Sequence, residues 1–275
     1  MKKIGFIDYY LSEWHANNYV AWLKEESNKH GYGFEVTHAW AELEVSPVDG
    51  VTTDEWCEKF GVTKCGSISE LCEVSDVIII LSPDNPENHL RYAEAVLPFK
   101  KRTYIDKTFA PDYDTAVKIF DIAKKHGTPF FSTSALRFAD ELDAMDDVTH
   151  ITTTGGGKHF EQYIIHQAEM VIKKIKAEPV SIVARKQGTS TFMDVTFEGG
   201  KTASILQDPS FPFSVCMSDA TGSQVYAPVS SPFFKKLIAD MVNFFETGET
   251  SFDTNETKQV IKLVEMCIKE KSTWH

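Results

Sequence analysis

The sequence is short of cysteine, of basic charge and of long apolar runs, and each shortage removes a class of function. The five cysteines, Cys57, Cys65, Cys72, Cys216 and Cys267, are odd in number and form no CxxC pair. They suit free thiols in a reducing compartment better than a disulfide framework. Lys and Arg number 28 against 40 Asp and Glu, a formal net charge of -12. Nucleic acids and anionic membrane surfaces both select a basic footprint, so neither is an expected partner. No run reaches the length of a membrane span and no basic-apolar-small signal opens the sequence, so a cytoplasmic location is the expectation. Internal repeats, low-complexity tracts and a P-loop are also missing.

What remains is a chain of 275 residues with 42% hydrophobic content, enough for one large core or two modest ones. The most legible stretch runs from Asp76 to Thr108. Val77 to Leu81 is an unbroken apolar run, as in a strand buried on both faces of a parallel sheet. Asn85 and Pro86 then open a helix with Leu90, Ala93 and Leu97 on one face, and Arg102 to Ile105 returns as a second strand. Ligands of open parallel sheets bind outside the carboxyl ends of the strands, so Ser82, Pro83, Asn85, Asp106 and Lys107 are expected to line one crevice.

Around this crossover, strands and helices alternate. Strands are predicted at Lys3 to Ile7, Phe34 to Ala39 and Pro129 to Ser132, with helices at Ser12 to Lys29, Thr53 to Phe60, Ser67 to Glu73 and after Asp112. Residues 1–135 therefore read as a Rossmann-like, doubly wound α/β domain. Residues 136–275 read as an α+β domain with an open antiparallel sheet. Its strands are expected near Val148, Ser181, Ser190, Lys201, Val215 and Gln224, and its helices at Phe160 to Ile175, after Pro232 and after Asp253. On the Phe160 helix, Ile164, Ala168, Val171, Ile172 and Ile175 form a core stripe. Gln162, Tyr163, His166, Glu169 and Met170 form a half-polar stripe suited to a cleft wall.

The apolar strand, the Ser82-Pro83 turn, His89 on the next helix and the strand-Asp106-Lys107 ending together resemble the glucose-fructose oxidoreductase, inositol dehydrogenase and rhizopine-catabolism family (Gfo/Idh/MocA). Two downstream segments extend the likeness. Ser134 to Phe138 is similar to the entry into that family's second domain, and EQYIIHQAEM is similar to its second-domain helix. Members usually carry Glu-Lys-Pro where this chain has Asp106-Lys107-Thr108, and many carry Asp at the position of Gln162.

The resemblance implies an NAD- or NADP-dependent dehydrogenase acting on a secondary alcohol of a sugar, polyol or related small molecule. Lys107 would stabilise the reacting oxygen and His166 would be the acid/base, the two facing each other across an interdomain cleft. Arg137, Gln162 and Tyr163 would contact substrate, and Glu161, Glu169 or Tyr163 would orient His166 in place of the missing Asp. Asp8, Tyr10, Ser12, Ser82, Pro83, Asn85 and Asp106 would surround the cofactor, with Trp40 or Glu42 at its ribose. The family's G-x-G-x-x-G turn is absent: aligned on Gly5, its positions hold Asp8, Tyr10 and Glu13. A left-handed position there would cost a non-glycine residue roughly 1–2 kcal/mol, and Asp8 would repel phosphate. Ser12 at the helix start still leaves backbone amides for an anion. Weak dinucleotide binding is therefore expected.

Two alternatives stay open: a binding or regulatory protein that has lost dinucleotide chemistry, and a lyase or isomerase using the same lysine and histidine. A homodimer or higher homo-oligomer is expected to form on the outer face of the sheet between Ser181 and Ala227, because Met193, Val195 and Phe197 face one way and Phe192 the other.

Overall fold

The computed structural model describes residues 1–272, which divide into two compact units. The first comprises Met1–Thr133 and Lys235–Thr254, the second Ser134–Phe234 together with the described residues from Asn255 to Ser272. The break at 133/134 lies two residues before the 135/136 division read from the sequence. The return of 235–254 to the first unit was not expected, and its cause is packing. Phe244 lies 4.9 Å from Phe131, Phe245 lies 5.9 Å from Phe34, and the Arg102 guanidinium donates to the carbonyls of Phe245 and Glu246 at 2.7 Å.

The first unit is a six-stranded, all-parallel sheet in the order β3-β2-β1-β4-β5-β6. Its strands are β1 (Lys2–Asp8), β2 (Phe34–Ala41), β3 (Thr63–Lys64), β4 (Val77–Ile80), β5 (Thr103–Ile105) and β6 (Phe130–Phe131). Every residue of β4 is buried, as its apolar run requires. The intervening helices are α1 (Trp14–His30), α2 (Thr53–Phe60), α3 (Ile68–Val74), α4 (His89–Val96) and α5 (Tyr113–His126). Asp112 caps α5 as the sequence indicates, accepting from Thr115 N at 2.7 Å, and Thr52 and Glu55 form a capping box on α2. Asn85 makes no side-chain cap; a short 3-10 turn, Pro86–Asn88, precedes α4 instead.

Register sets what emerges at the carboxyl edge. Ile7 pairs with Ile80 and Ile80 with Ile105, so Asp8, Leu81 and Asp106 leave three adjacent strands at one level. That register sets the three residues side by side at the carboxyl edge of the sheet.

The second unit holds β7 (Val148–Gly155), β8 (Pro179–Gln187), β9 (Ser190–Phe197), β10 (Thr202–Gln207), β11 (Ser214–Asp219) and β12 (Gln224–Pro228), in the order β12-β11-β7-β10-β9-β8. The sheet is mixed rather than antiparallel, because β10 runs parallel to β7. Helix α6 (Phe160–Ile175) carries the chain across the sheet, so β8 sets out in the direction of β7 and the β8-β9-β10 meander returns parallel to it. Helices α7 (Phe233–Thr247) and α8 (Glu256–Ser272) close the chain, with α8 packed against α6 and β8. Met193, Val195 and Phe197 are buried toward the helices. The opposite face of the sheet carries hydroxyls at Thr152, Thr154, Thr196, Thr202 and Ser204, with Val183 and Tyr226 as exposed apolar groups.

Candidate functional site

Lys107 follows β5 directly, and its side chain is 12% exposed. Its ammonium lies 3.6 Å from the Asp84 carboxylate, too far for a good hydrogen bond. Its backbone amide donates to Asp106 Oδ1 at 2.8 Å, and its peptide bond to Thr108 is cis. Asp106 is fully buried; it is ion-paired with His15 and accepts from the Tyr104 hydroxyl at 3.1 Å. Burial alone would raise the Asp106 pKa, but the adjacent His15 and Lys107 outweigh it and the carboxylate sits below its ordinary value.

The turn after β1 reverses two sequence expectations. None of Asp8 to Glu13 adopts a left-handed backbone, so missing glycine causes no strain there. Nor are the helix-end amides open. Helix α1 begins at Trp14 with Glu13 as its N-cap, and the Glu13 carboxylate accepts from His15 N at 2.7 Å and from Ala16 N. Ser12 instead donates its hydroxyl to Asp49 at 2.7 Å. Asp8 is buried and accepts from Tyr9 N at 2.7 Å, while Ser82, buried at the end of the neighbouring strand, is held at φ 72°. The second oxygen of Asp8, Oδ2, has no partner among the described residues. Burial pushes the Asp8 carboxyl well up, with the Glu13 charge adding to it. Burial likewise raises Glu13 to about 7 against the pull of His15. Tyr10 is half-buried among carboxylates and its phenol is pushed up to about 12 by burial and by Asp84 and Asp8.

The remaining cofactor candidates are also engaged. Glu42 accepts from Tyr92 at 2.7 Å and pairs with Arg91 at 2.5 Å, while Trp40 packs edge-on to Tyr92. Pro83 is buried, and Asn85 donates to Glu87 at 3.1 Å. His89 is fully buried between the Leu81 carbonyl at 2.6 Å and the Phe109 carbonyl at 3.0 Å, tying the β4 loop to the segment after Lys107.

In the second unit, His166 is half-buried on α6, and its Nδ1 lies 2.6 Å from Ser134 Oγ. Its ring packs edge-on to Tyr163 and Phe213 at 5.6 and 5.7 Å. Ser134, which sequence reasoning did not single out, is therefore its neighbour in place of the expected Glu161 or Glu169. Glu161 is taken by Lys271 at 2.6 Å, and Glu169 by Arg137 at 2.8 Å and Ser134 N at 3.0 Å. Arg137, expected to face substrate, is 4% exposed and clamped between Glu169 and Glu256, the latter at 2.7 Å. Its guanidinium is committed inside the unit. Gln162 and Tyr163 are half-buried beside His166 on α6.

The glycines before α6 let the chain pass through a narrow gap. A Cβ on Gly156 would lie 2.1 Å from the Asp208 carbonyl, and one on Gly157 (φ 151°) 2.0 Å from the Tyr163 ring. Gly156→Ala should cost about 1–3 kcal/mol in thermal or urea unfolding, since the obstacle is backbone. An unchanged midpoint would show that the Asp208 segment yields freely.

No protein-family model and no curated protein matches the sequence. Solved structures do match along its whole length. Myo-inositol 2-dehydrogenase from Lactobacillus plantarum is 11% identical with a TM-score of 0.77, covering 99% of this chain and 97% of that one. UDP-N-acetylglucosamine 3-dehydrogenase from Acidithiobacillus ferrooxidans is 12% identical with a TM-score of 0.73, covering 98% and 97%. An NAD-binding protein from Listeria innocua is 16% identical with a TM-score of 0.71, covering 99% and 95%. The chain thus shares its fold with these solved structures, two of them dehydrogenases, as the sequence resemblance leads one to expect.

The residues at the end of β1 do not fit a dinucleotide held in the usual way. A pyrophosphate on the first helix needs open N-terminal amides and a turn without anionic side chains. Here the amides of Tyr9, His15 and Ala16 are already bound by the chain's own Asp8 and Glu13.

Proposed function

We propose that this chain is an oxidoreductase of low affinity for NAD or NADP, acting at a secondary hydroxyl, or the corresponding ketone, of a sugar, polyol or related small molecule. Lys107 carries the reading: a nearly buried ammonium, loosely paired, at the strand end where open parallel sheets gather ligands. The fold it shares with a myo-inositol dehydrogenase and a UDP-N-acetylglucosamine dehydrogenase supports the substrate class. Lys107 would donate to the reacting oxygen and stabilise negative charge as the hydroxyl proton leaves. His166, its Nδ1 engaged by Ser134, would exchange that proton through Nε2. Gln162 and Tyr163, on the same stretch of α6, would hydrogen-bond further substrate hydroxyls.

One observation favours a second reading. Because Glu13 and Asp8 hold the phosphate-binding amides, a lyase, isomerase or binding protein using the same lysine and histidine needs no rearrangement of that turn. Incubating the protein with a panel of polyols and keto-sugars, with each dinucleotide and without, separates the two. Dinucleotide-dependent turnover that drops about a hundredfold or more in Lys107→Met and His166→Asn is the expected result. Substrate conversion or solvent hydrogen exchange without dinucleotide would select the second reading, and turnover untouched by either variant would sink both assignments.

A further inference from the structure

A recess of about 430 Å³ opens in the second unit beside the start of α6. Lys158, Lys186 and Lys271 line it, together with Phe160, Thr189 and Gln207. Three cations on one small surface run against a chain whose formal charge is -12. Lys271 is paired with Glu161 and lies 4.4 Å over the Phe160 ring, but Lys158 and Lys186 have no ion pair or hydrogen bond among the described residues. The nearby Asp208 carboxylate accepts from hydroxyls of Thr189, Ser190 and Ser210 at 2.7–2.8 Å and makes no ion pair with these lysines among the described residues.

Gln207 supplies an independent pointer. It is 3% exposed, and its amide is oriented by a buried relay: Thr153 Oγ1 donates to Gln167 Oε1 at 2.8 Å, and Gln167 Nε2 donates to Gln207 Oε1 at 2.5 Å. The Gln207 Nε2 end is buried at the wall of the recess and has no acceptor among the described residues. Leaving such a bond unmade is costly, so a buried donor left open where cations converge points to an anionic acceptor.

We propose that this recess binds the phosphate group of a small phosphorylated metabolite. Lys158, Lys186 and the Gln207 amide hold the phosphate, and the Phe160 ring flanks the attached carbon skeleton. A phosphate monoester suits the site better than a carboxylate: it brings nearly two charges and three acceptor oxygens to two unpaired ammonium groups and an amide. The volume lies within the range of small-molecule pockets. The site is independent of the oxidoreductase reading, because none of these residues is assigned to that reaction.

Calorimetric titration of the full chain with ribose 5-phosphate, inorganic phosphate, ribose and gluconate tests this directly. Ribose 5-phosphate should bind, more weakly as salt is raised, while ribose and gluconate should not. The Lys158→Ala/Lys186→Ala double variant, at two solvent-exposed positions, should lose at least about tenfold in affinity. Gln207→Met should also weaken binding, with its circular dichroism spectrum checked against the unchanged chain. Inorganic phosphate binding as tightly as the ester would overturn the metabolite assignment. Equal binding of gluconate, binding indifferent to the double variant, or no binding of either phosphate would overturn the site itself.

Discussion

Replacing Arg137 by methionine should remove about 3–5 kcal/mol from the stability of the chain, a large share of the roughly 5–15 kcal/mol that holds a typical domain folded. Arg137 is 4% exposed and Glu169 is 2% exposed, so their 2.8 Å contact is shielded from solvent. Without the guanidinium, Glu169 loses its buried ion pair and keeps the Ser134 amide at 3.0 Å, and a carboxylate in that position either stays charged at high cost or takes up a proton. Glu256 loses its partner as well, and it opens α8 while Glu169 belongs to α6, so Arg137 joins two helices to the turn at 135–138. The double change Arg137→Met with Glu169→Gln should recover much of the loss, because both charges leave together. Urea unfolding of the two variants decides it. A single-variant cost below about 1 kcal/mol would mean that Glu169 finds another partner or water.

Much of this architecture is legible from local pattern, and the failures share one cause. Helix α6 was bounded at Phe160 and Ile175 because its apolar stripe keeps a helical period to both ends. Strand β4 was legible because burial on both faces leaves no polar residue in it. By contrast, nothing in residues 235–254 encodes which core they join, and that choice depends on Phe34, Phe131 and Arg102 far away in sequence. The parallel pairing of β10 with β7 is likewise a matter of topology. At the site, the position of Lys107 just beyond a strand end is legible from local pattern, whereas the burial of Arg137 is not, because it depends on Glu169 and Glu256 in two other helices. Glu13 is the most instructive miss. Three substituted glycines pointed to a poor phosphate turn, but glutamate is not among the favoured N-cap residues, so its folding back onto α1 left no sequence mark.

That fold-back sets the second large effect: Glu13→Gly combined with Asp8→Gly should tighten NADH binding by about a hundredfold or more. Each change removes a carboxyl group from the path of the pyrophosphate, and together they free the amides of Tyr9, His15 and Ala16 for it. Charge-assisted hydrogen bonds contribute about 1.5–3 kcal/mol apiece, and about 1.4 kcal/mol is tenfold, so recovery of two such bonds suffices. The unchanged protein should carry a pH signature of the same contact. Glu13 titrates near 7, raised by burial, and an incoming phosphate favours its protonated form. NADH affinity should therefore fall as pH rises through 7 and level off above it. The sign for stability is the same. A carboxyl whose folded pKa lies above its ordinary 4.5 contributes most at low pH, and that contribution declines between about 4.5 and 7. Glu13→Gln keeps the cap but not the charge, so it should flatten the binding profile without reaching the affinity of the double glycine variant. Nicotinamide fluorescence titrations between pH 6 and 8 report all three. Tight, pH-independent NADH binding by the unchanged chain would show that Glu13 leaves the helix end at little cost when a dinucleotide arrives.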